Sequence, residues 1–145
     1  MNGAGEQYLI FTLQGKRYAL ALSQVAEVND PSPLWPIPGA PSYYPGAMNF
    51  HGTIVAVLDL TVFYGLPSCH ELEKVIVLAP QVAALALLVE RVLRIARDDE
   101  ASEVEVHHQD GVPIQRIHFT DGEAVLFDAP AFVALAADRI NSSQG

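Results

Sequence analysis

Histidine and cysteine are the residue types in this chain that could bind a metal ion. Five histidines are present. His107 and His108 are neighbours on a predicted strand, where consecutive side chains point to opposite faces, so they cannot share an ion. Adding His118 to either would leave the site short of ligands, and Cys69 has no second cysteine to pair with. We therefore predict neither a metal site nor a bound cofactor.

Residues suited to nucleophilic or acid-base catalysis are also present, but their spacing is unfavourable. Cys69 and His70 combine a thiol with a base, yet neighbours in sequence rarely reach the geometry of a nucleophile and its base. No nucleophile elbow, phosphate loop or dinucleotide fingerprint occurs, and the acidic run at 98–100 lacks the central glycine of a calcium loop. Carboxylates such as Glu27 and Asp59 could still meet in space. The sequence favours a protein that is not an enzyme.

Charge limits the class of partner. Seventeen acidic and eight basic residues give a net charge of −9, which would repel nucleic acid and anionic lipid headgroups. Five of the eight residues from 98 to 105 are acidic, a pattern typical of a solvated rim. We therefore expect no nucleic-acid partner.

The pattern of apolar residues and cysteine indicates the compartment. Glu90 and Arg91 interrupt the richest apolar run, so none approaches the ~18 positions that a membrane span needs. The first residues show no secretory pattern, and a single cysteine suits a reducing environment. We expect a cytoplasmic protein without direct membrane insertion.

Short strands separated by turns dominate the first half of the chain. Residues 8–13 and 17–22 predict a hairpin in which one side of the second strand is buried. Six of the fifteen residues from 31 to 45 are proline, which excludes a helix or central strand, and their apolar neighbours predict a loop that packs against the domain. Residues 47–50 and 53–58 predict strands around His51 and Gly52.

The second half contains one ambiguous segment. Residues 74–79 predict a strand, but residues 82–96 fit a helix and two strands about equally well on local composition. Residues 104–108, 114–119 and 124–127 predict a meander.

Capping residues predict where the helices begin. Asp59 can cap a short helix through Phe63, and Asp128 can cap a final helix with Pro130 in its first turn. In the final helix Phe132, Leu135, Ala136 and Ile140 recur at helical spacing, so they are expected to face the core. Roughly nine short strands with few helices favour a barrel or a sandwich.

Four motifs occur in a fixed order. They are VAEV at 25–28, IPGAP at 37–41, YPGAMNFHG at 44–52 and VLDL at 57–60. This series resembles the CheW family, whose members look like V-x-E-I, I-P-x-x-P, G-x-x-N-L-R-G and P-V-x-D-L at similar gaps. The likeness extends over about residues 7–140.

The resemblance implies a fold and a function. The fold is mainly β, with two intertwined SH3-like five-stranded β-barrels, short helices and a C-terminal helix around a shared apolar core. It would form a single domain over residues 7–140, between a tail at 1–6 and a disordered tail at 141–145, and it implies two strands within 82–96. The implied function is a non-enzymatic adaptor that couples the cytoplasmic tip of a chemoreceptor to the regulatory domain of a CheA-type histidine kinase, at receptor arrays beneath the membrane.

The resemblance also implies the residues of the partner-binding surface. Asn49 and Gly52 could instead shape a turn, Asp59 could simply cap a helix, and Glu27 could form an internal pair. The polar positions that match the motifs are Glu27, Asn49, His51, Gly52 and Asp59, and the apolar candidates for partner contact are Val25, Val28, Ile54 and Val57.

Three positions depart from the family pattern. His51 and Thr61 stand where arginine is usual, and Ala56 stands where proline is usual. Histidine lacks the permanent charge and bidentate fork of arginine, so a carboxylate partner would be held less firmly. One alternative is therefore a CheW-like module of a pathway that controls pili or gene expression. Another is a small module that binds a metal or other ligand.

Overall fold

The computed structural model describes residues 5–67, 74–109 and 112–144. The described residues form eleven strands and two α-helices, with short 3-10 turns at Leu22–Gln24 and Asp98–Glu100. The strands are β1 Tyr8–Leu13, β2 Lys16–Ala21, β3 Val25–Asn29, β4 Gly46–Phe50, β5 Thr53–Asp59, β6 Lys74–Leu78, β7 Leu85–Val89, β8 Arg91–Ala96, β9 Glu103–Gln109, β10 Val112–Phe119 and β11 Gly122–Leu126; the helices are α1 Leu60–Phe63 and α2 Ala129–Gln144.

The strands form two sheets that are interleaved along the chain. The five-stranded sheet has the order β3-β6-β7-β5-β4, and the six-stranded sheet has the order β8-β1-β2-β11-β10-β9. The five-stranded sheet is therefore inserted between β2 and β8 of the other. This confirms the predicted architecture of two intertwined barrels, although one sheet has a strand more than expected.

The ambiguous segment contains two strands, as the resemblance implied. β7 pairs with both β5 and β6, and most of its side chains are buried. A strand buried on both faces carries a nearly continuous apolar run, which explains why its composition also fits a helix. The chain passes from one sheet to the other at Glu90, whose Oε1 accepts hydrogen bonds from Thr12 Oγ1 at 2.7 Å and from Gly15 N at 3.0 Å.

Three apolar clusters form the core. The largest lies between the sheets, the second belongs to the six-stranded barrel, and the third fills the five-stranded barrel. Leu20 belongs to the first cluster and Ala19 to the second, so the centre of β2 is buried on both sides and not on one side as predicted. Burying a large aliphatic or aromatic side chain contributes about 1.5–3 kcal/mol to stability. Packing in the shared cluster is therefore the main interaction that holds the two barrels together.

The proline-rich loop is held against the end strand β4. Trp35 N donates to Ala47 O at 2.9 Å, and Ala47 N donates to Trp35 O at 2.8 Å. Asp59 N donates to Tyr43 O at 2.8 Å, and Tyr43 is buried. The prediction of a packed loop is confirmed for its backbone and for Tyr43, whereas the side chain of Trp35 remains mainly exposed.

Both helices begin where their capping residues predict. Asp59 Oδ1 accepts from Thr61 N at 2.9 Å, and Asp128 Oδ1 accepts from Ala131 N at 3.0 Å. In α2, Phe132 and Ala136 are buried as predicted. Leu135 is exposed, which contradicts its expected core position, because Phe132 and Ala136 already define the buried stripe of the helix.

The C-terminal helix also extends past its expected end. It continues to Gln144, whereas a disordered tail was predicted from residue 141, because each added helical residue gains a backbone hydrogen bond once the helix has begun. Arg139 fastens the helix to α1: its Nη1 donates to Phe63 O at 2.6 Å, and its guanidinium lies 3.6 Å from the centre of the Phe63 ring.

Some features of the sequence fall on residues that are not described. The Cys69-His70 pair lies outside the described residues, as does part of the connection between the first two strands of the predicted meander. Within the described part of the chain, no helix is long and apolar enough to cross a membrane.

Candidate protein-docking surface

A tight turn between β4 and β5 positions the polar residues of the third motif. Phe50 pairs with Thr53, so the loop contains two residues, His51 and Gly52, with φ of 50° and 87°. Two left-handed residues in a two-residue loop are characteristic of a type I′ turn, whose twist matches that of the flanking strands. Asn49 Oδ1 accepts from Gly52 N at 2.9 Å. Asn49 and Gly52 therefore build the turn, and the turn projects His51 into solvent.

The contact between Glu27 and His51 joins the two ends of the five-stranded sheet. His51 Nε2 lies 3.6 Å from Glu27 Oε1, and the two side chains are 73% and 41% exposed. Glu27 is on β3 and His51 follows β4, which are the end strands of the sheet. The sheet must therefore curl until its ends meet, which places two residues far apart in sequence on one rim. Exposed pairs of this kind contribute about 0–1 kcal/mol to stability, so this contact stabilises the fold only slightly.

Two large apolar side chains are exposed on the outward face at this end of the sheet, one from the proline-rich loop and one from β5. Trp35 is 58% exposed and Ile54 is 59% exposed. Trp35 is bridged to Ala47, and Asn49 is paired with Ile54. Paired residues share a face, as do Ala47 and Asn49 at a spacing of two, so both large side chains lie on the face of Asn49.

The segment that carries these apolar side chains contains no formally charged residue. From Pro31 to Leu58 the sequence contains no Asp, Glu, Lys or Arg, in a chain whose net charge is −9. The surface formed by Trp35, Asn49, His51, Gly52 and Ile54, with Glu27 at its rim, is hereafter the tip surface.

The structure separates the predicted site residues into two groups. Glu27, Asn49, His51, Gly52 and Ile54 come together at the tip surface, whereas the other four lie elsewhere. Val57 is 0% exposed inside the five-stranded barrel, so the expectation that it contacts a partner is wrong. Its position three residues after Ile54 puts it on the opposite, inward face of β5.

The remaining predicted residues have mainly structural roles. Val25 and Val28 are half-buried against the shared core, since their partners Leu78 and Ile76 face that cluster. Asp59 uses its carboxylate to cap α1. These three residues stabilise the fold and lie away from the tip surface.

Two residues of this region were not among the predicted site residues: Trp35, which lies outside the motifs, and Gly46, which belongs to the third motif. A Cβ on Gly46 would lie 2.6 Å from Trp35 O and 2.7 Å from Leu34 Cβ. Glycine at position 46 therefore allows the proline-rich loop to approach β4 closely enough to present Trp35. The sequence did contain a signal for Trp35: it is a tryptophan within a proline-rich stretch that has no charged residue.

A second polar cluster lies on the outer meander. Glu105 contacts His107 Nε2 at 3.0 Å and His118 Nε2 at 3.1 Å, while His118 Nδ1 lies 3.6 Å from Glu123. The hydrogen bond from His107 is the main cause that lowers the pKa of Glu105. Among the described residues, no group of three or more His, Cys, Asp or Glu side chains is placed to hold a metal ion.

Arginine pairs close the six-stranded barrel. Arg94 donates to both carboxylate oxygens of Asp121 at 3.0 Å, and Arg17 donates to Asp121 Oδ1 at 3.0 Å. The hydrogen bonds from Arg94, followed by those from Arg17, hold the pKa of Asp121 well below its usual range. Arg94 Nη2 also lies 2.9 Å from Glu100 Oε1, so two arginines and two carboxylates neutralise one another and stabilise the fold.

Comparison with known proteins gives a consistent result. The family model of the CheW-like domain matches residues 7–136. The chain is 26% identical over 107 residues to the chemotaxis protein CheW of Bacillus subtilis (strain 168), covering 72% of this chain and 63% of that protein. It is 22% identical over 94 residues to the chemotaxis protein CheW of Rhizobium meliloti (strain 1021), covering 63% of this chain and 61% of that protein.

A solved structure is also similar. The scaffolding protein TtCheW from Thermoanaerobacter tengcongensis matches with a TM-score of 0.70 and 19% identity, over 86% of this chain and 89% of that chain. At this identity the likeness concerns the fold. The matched regions span 63% and 61% of the two curated relatives, so roughly three fifths of their length is represented.

Proposed function

The chain belongs to the CheW-like domain family, and on this premise we propose that it is a non-enzymatic adaptor of a chemotaxis-type signalling pathway. In this role it binds other proteins and transforms no substrate. Its proposed partners are the regulatory domain of a CheA-type histidine kinase and the cytoplasmic tip of a chemoreceptor. It would act in the cytoplasm, at receptor arrays, as one folded domain over residues 7–140.

The observation that carries the proposal is the composition of the tip surface. Trp35 and Ile54 are mainly exposed and belong to a segment without charged residues, although the protein as a whole is strongly acidic. The centres of protein interfaces are depleted in charged residues and enriched in aromatic ones, and tryptophan is frequent among the residues that dominate binding energy. An exposed tryptophan in an uncharged segment therefore supports protein binding.

The division into two barrels supports an adaptor with more than one partner. Each barrel has its own apolar interior, and the shared cluster holds the two together. Such a body presents two separate barrel surfaces in a fixed relation, which is the physical requirement for holding two partners side by side.

Replacing the exposed tryptophan tests the role of the tip surface. Trp35→Ala removes the aromatic side chain but keeps the backbone bridge to Ala47. If the surface docks on the kinase regulatory domain, the Kd measured by titration calorimetry should rise roughly 30-fold, which corresponds to about 2 kcal/mol for a residue that dominates binding.

The matched control is Leu135→Ala, which truncates an exposed apolar side chain on α2. Its affinity should stay within twofold of the wild type. Equal affinities for Trp35→Ala and the wild type would show that this surface does not dock on the kinase. Failure of the wild type to bind either the kinase domain or a receptor tip would reject the adaptor role.

A second candidate is the same kind of adaptor in a pathway that controls pili or gene expression. The observation that favours it is His51, which meets Glu27 at the position where arginine was expected. An arginine there could hold a partner carboxylate in a bidentate manner, and histidine cannot. His51→Arg should therefore tighten binding to a kinase of the general chemotaxis type, and unchanged affinity for that kinase would count against this candidate.

A further inference from the structure

We propose that two copies of this chain associate through β9, Glu103–Gln109, by antiparallel pairing of β9 with β9 of the second copy. β9 is an end strand of the six-stranded sheet, whereas the tip surface lies on the five-stranded sheet. This association is therefore separate from the proposed adaptor role, and a dimer formed in this way would leave both tip surfaces free.

The outer edge of β9 lacks the features that usually protect an end strand. Backbone N–H and C=O groups on such an edge can pair with another strand, and proteins commonly interrupt or cover them. β3 and β8 each have an irregular register with their neighbour, and Trp35 is bridged to β4 by two backbone hydrogen bonds. β9 instead pairs with β10 in unbroken register and contains neither proline nor lysine. Of the four end strands in the described part of the chain, β9 alone has no such feature.

One face of β9 is apolar and exposed. Val104 and Val106 are 54% and 56% exposed, and their spacing of two puts them on the same face. Val104 is paired with Ile117 of β10, which is buried, and paired residues share a face. The apolar face of the sheet therefore extends one strand beyond the core, and a further strand beside β9 would cover the two valines.

The opposite face of β9 fixes the register of the pairing. Glu105 and His107 lie on this face, with 3.0 Å between Glu105 Oε2 and His107 Nε2. Antiparallel pairing centred on Val106 puts Glu105 of each copy opposite His107 of the other, and Val106 opposite its own counterpart. Pairing centred on Glu105 would put two carboxylates directly opposite each other, which is destabilising. The strand is therefore complementary to itself when Val106 lies at the centre.

The net charge of −9 on each copy does not oppose this arrangement strongly. The acidic residues at 98–100 precede β9. In an antiparallel pair, residue 103 of one copy lies beside residue 109 of the other, so the two acidic runs lie at opposite ends of the joint. Six residues at ~3.3 Å each separate them by about 20 Å, which exceeds the screening length of about 10 Å in 0.1 M salt.

Analytical ultracentrifugation of the full chain over a range of concentrations tests the association. The wild type should reach twice the mass of the 15.7 kDa chain as its concentration rises. Val106→Lys places two like charges opposite each other at the centre of the pair, so the Kd of the dimer should rise about tenfold or more. The matched control is Val62→Lys, at a valine that is 43% exposed on α1, and its Kd should stay within twofold of the wild type. Thermal unfolding of both variants checks that they are folded.

Disulfide formation tests the register. In a Cys69→Ser background, Val106→Cys places two thiols on directly opposite residues, whose Cα atoms are about 4.5–5.5 Å apart in an antiparallel pair. This distance lies within the range of a disulfide, so mild oxidation should link the two copies. The control is Val104→Cys in the same background: its two thiols would lie four residues apart along the strands, or about 13 Å, and should remain unlinked.

Three outcomes would overturn this inference: a wild type that stays monomeric at every concentration, a dimer that Val106→Lys does not weaken, and linkage through Val104→Cys without linkage through Val106→Cys. A monomeric wild type that binds the kinase domain would leave the adaptor role standing. A dimer that is sensitive to Val106→Lys but binds neither the kinase domain nor a receptor tip would support the association through β9 and reject the adaptor role.

Discussion

Val57 and Ile54 lie three residues apart on β5, and the structure assigns them opposite roles. Val57 is buried among the valines of the five-stranded barrel, whereas Ile54 is 59% exposed at the tip surface. Val57→Ala removes two methyl groups, which costs about 1.6 kcal/mol at ~0.8 kcal/mol each. A remaining cavity of about 30–40 Å³ adds roughly 1 kcal/mol. We therefore expect Val57→Ala to lower the free energy of unfolding by about 2.5 kcal/mol.

The measurement is urea denaturation followed by circular dichroism, with a thermal melt in which the midpoint should fall by roughly 5–10 °C. The matched control, Ile54→Ala, should change stability by less than about 0.5 kcal/mol because the side chain is mainly in water. The binding data should show the reverse order: Ile54→Ala should raise the Kd for the kinase domain about tenfold, and Val57→Ala should leave it within twofold at a temperature where the variant is folded. A stable Val57→Ala variant that has lost binding would refute this assignment of the two faces.

Three further predictions concern the fold. The pKa of Asp121 is held below its usual range, so its ionised form stabilises the protein above about pH 4, and this contribution is lost as the pH falls towards the pKa of the folded state. Asp121→Asn should therefore lose less stability than the wild type between pH 7 and pH 3, measured by urea denaturation at each pH. Gly46→Ala should displace the proline-rich loop, because the new Cβ would lie 2.6 Å from Trp35 O, and the emission of Trp35, the one tryptophan of the chain, should shift in wavelength; an unchanged spectrum with unchanged stability would contradict the close approach. Arg139→Met should lower the free energy of unfolding by about 1–2 kcal/mol, since the hydrogen bond to Phe63 O and the contact with its ring are lost, and calorimetry would detect the difference.

The capping and turn residues show how far short-range chemistry can be interpreted from a sequence. Asp59 and Asp128 cap their helices, and Asn49 closes the turn through Gly52, as their residue types indicated. In each case donor and acceptor lie within three positions along the chain, so the contact depends on local geometry alone.

The strands of residues 82–96 show where local chemistry was insufficient. Their composition fitted a helix as well as two strands, and the decision came from the family resemblance. The local pattern was ambiguous because β7 lies between β5 and β6 and is buried on both faces. Apolar residues are then favoured at every position, and the alternation typical of a half-buried strand is absent.

The sequence by itself therefore determined the turn that Asn49 closes, the helix caps, the family and the lack of charge from Pro31 to Leu58. Tertiary structure alone decided that Val57 is inside and Ile54 outside, because the period of two on a strand defines two faces without saying which one the barrel encloses. It alone also brought Glu27 to His51, since that contact exists only when the two end strands of the curled sheet meet. Such placement depends on how distant segments pack, and no local pattern records it.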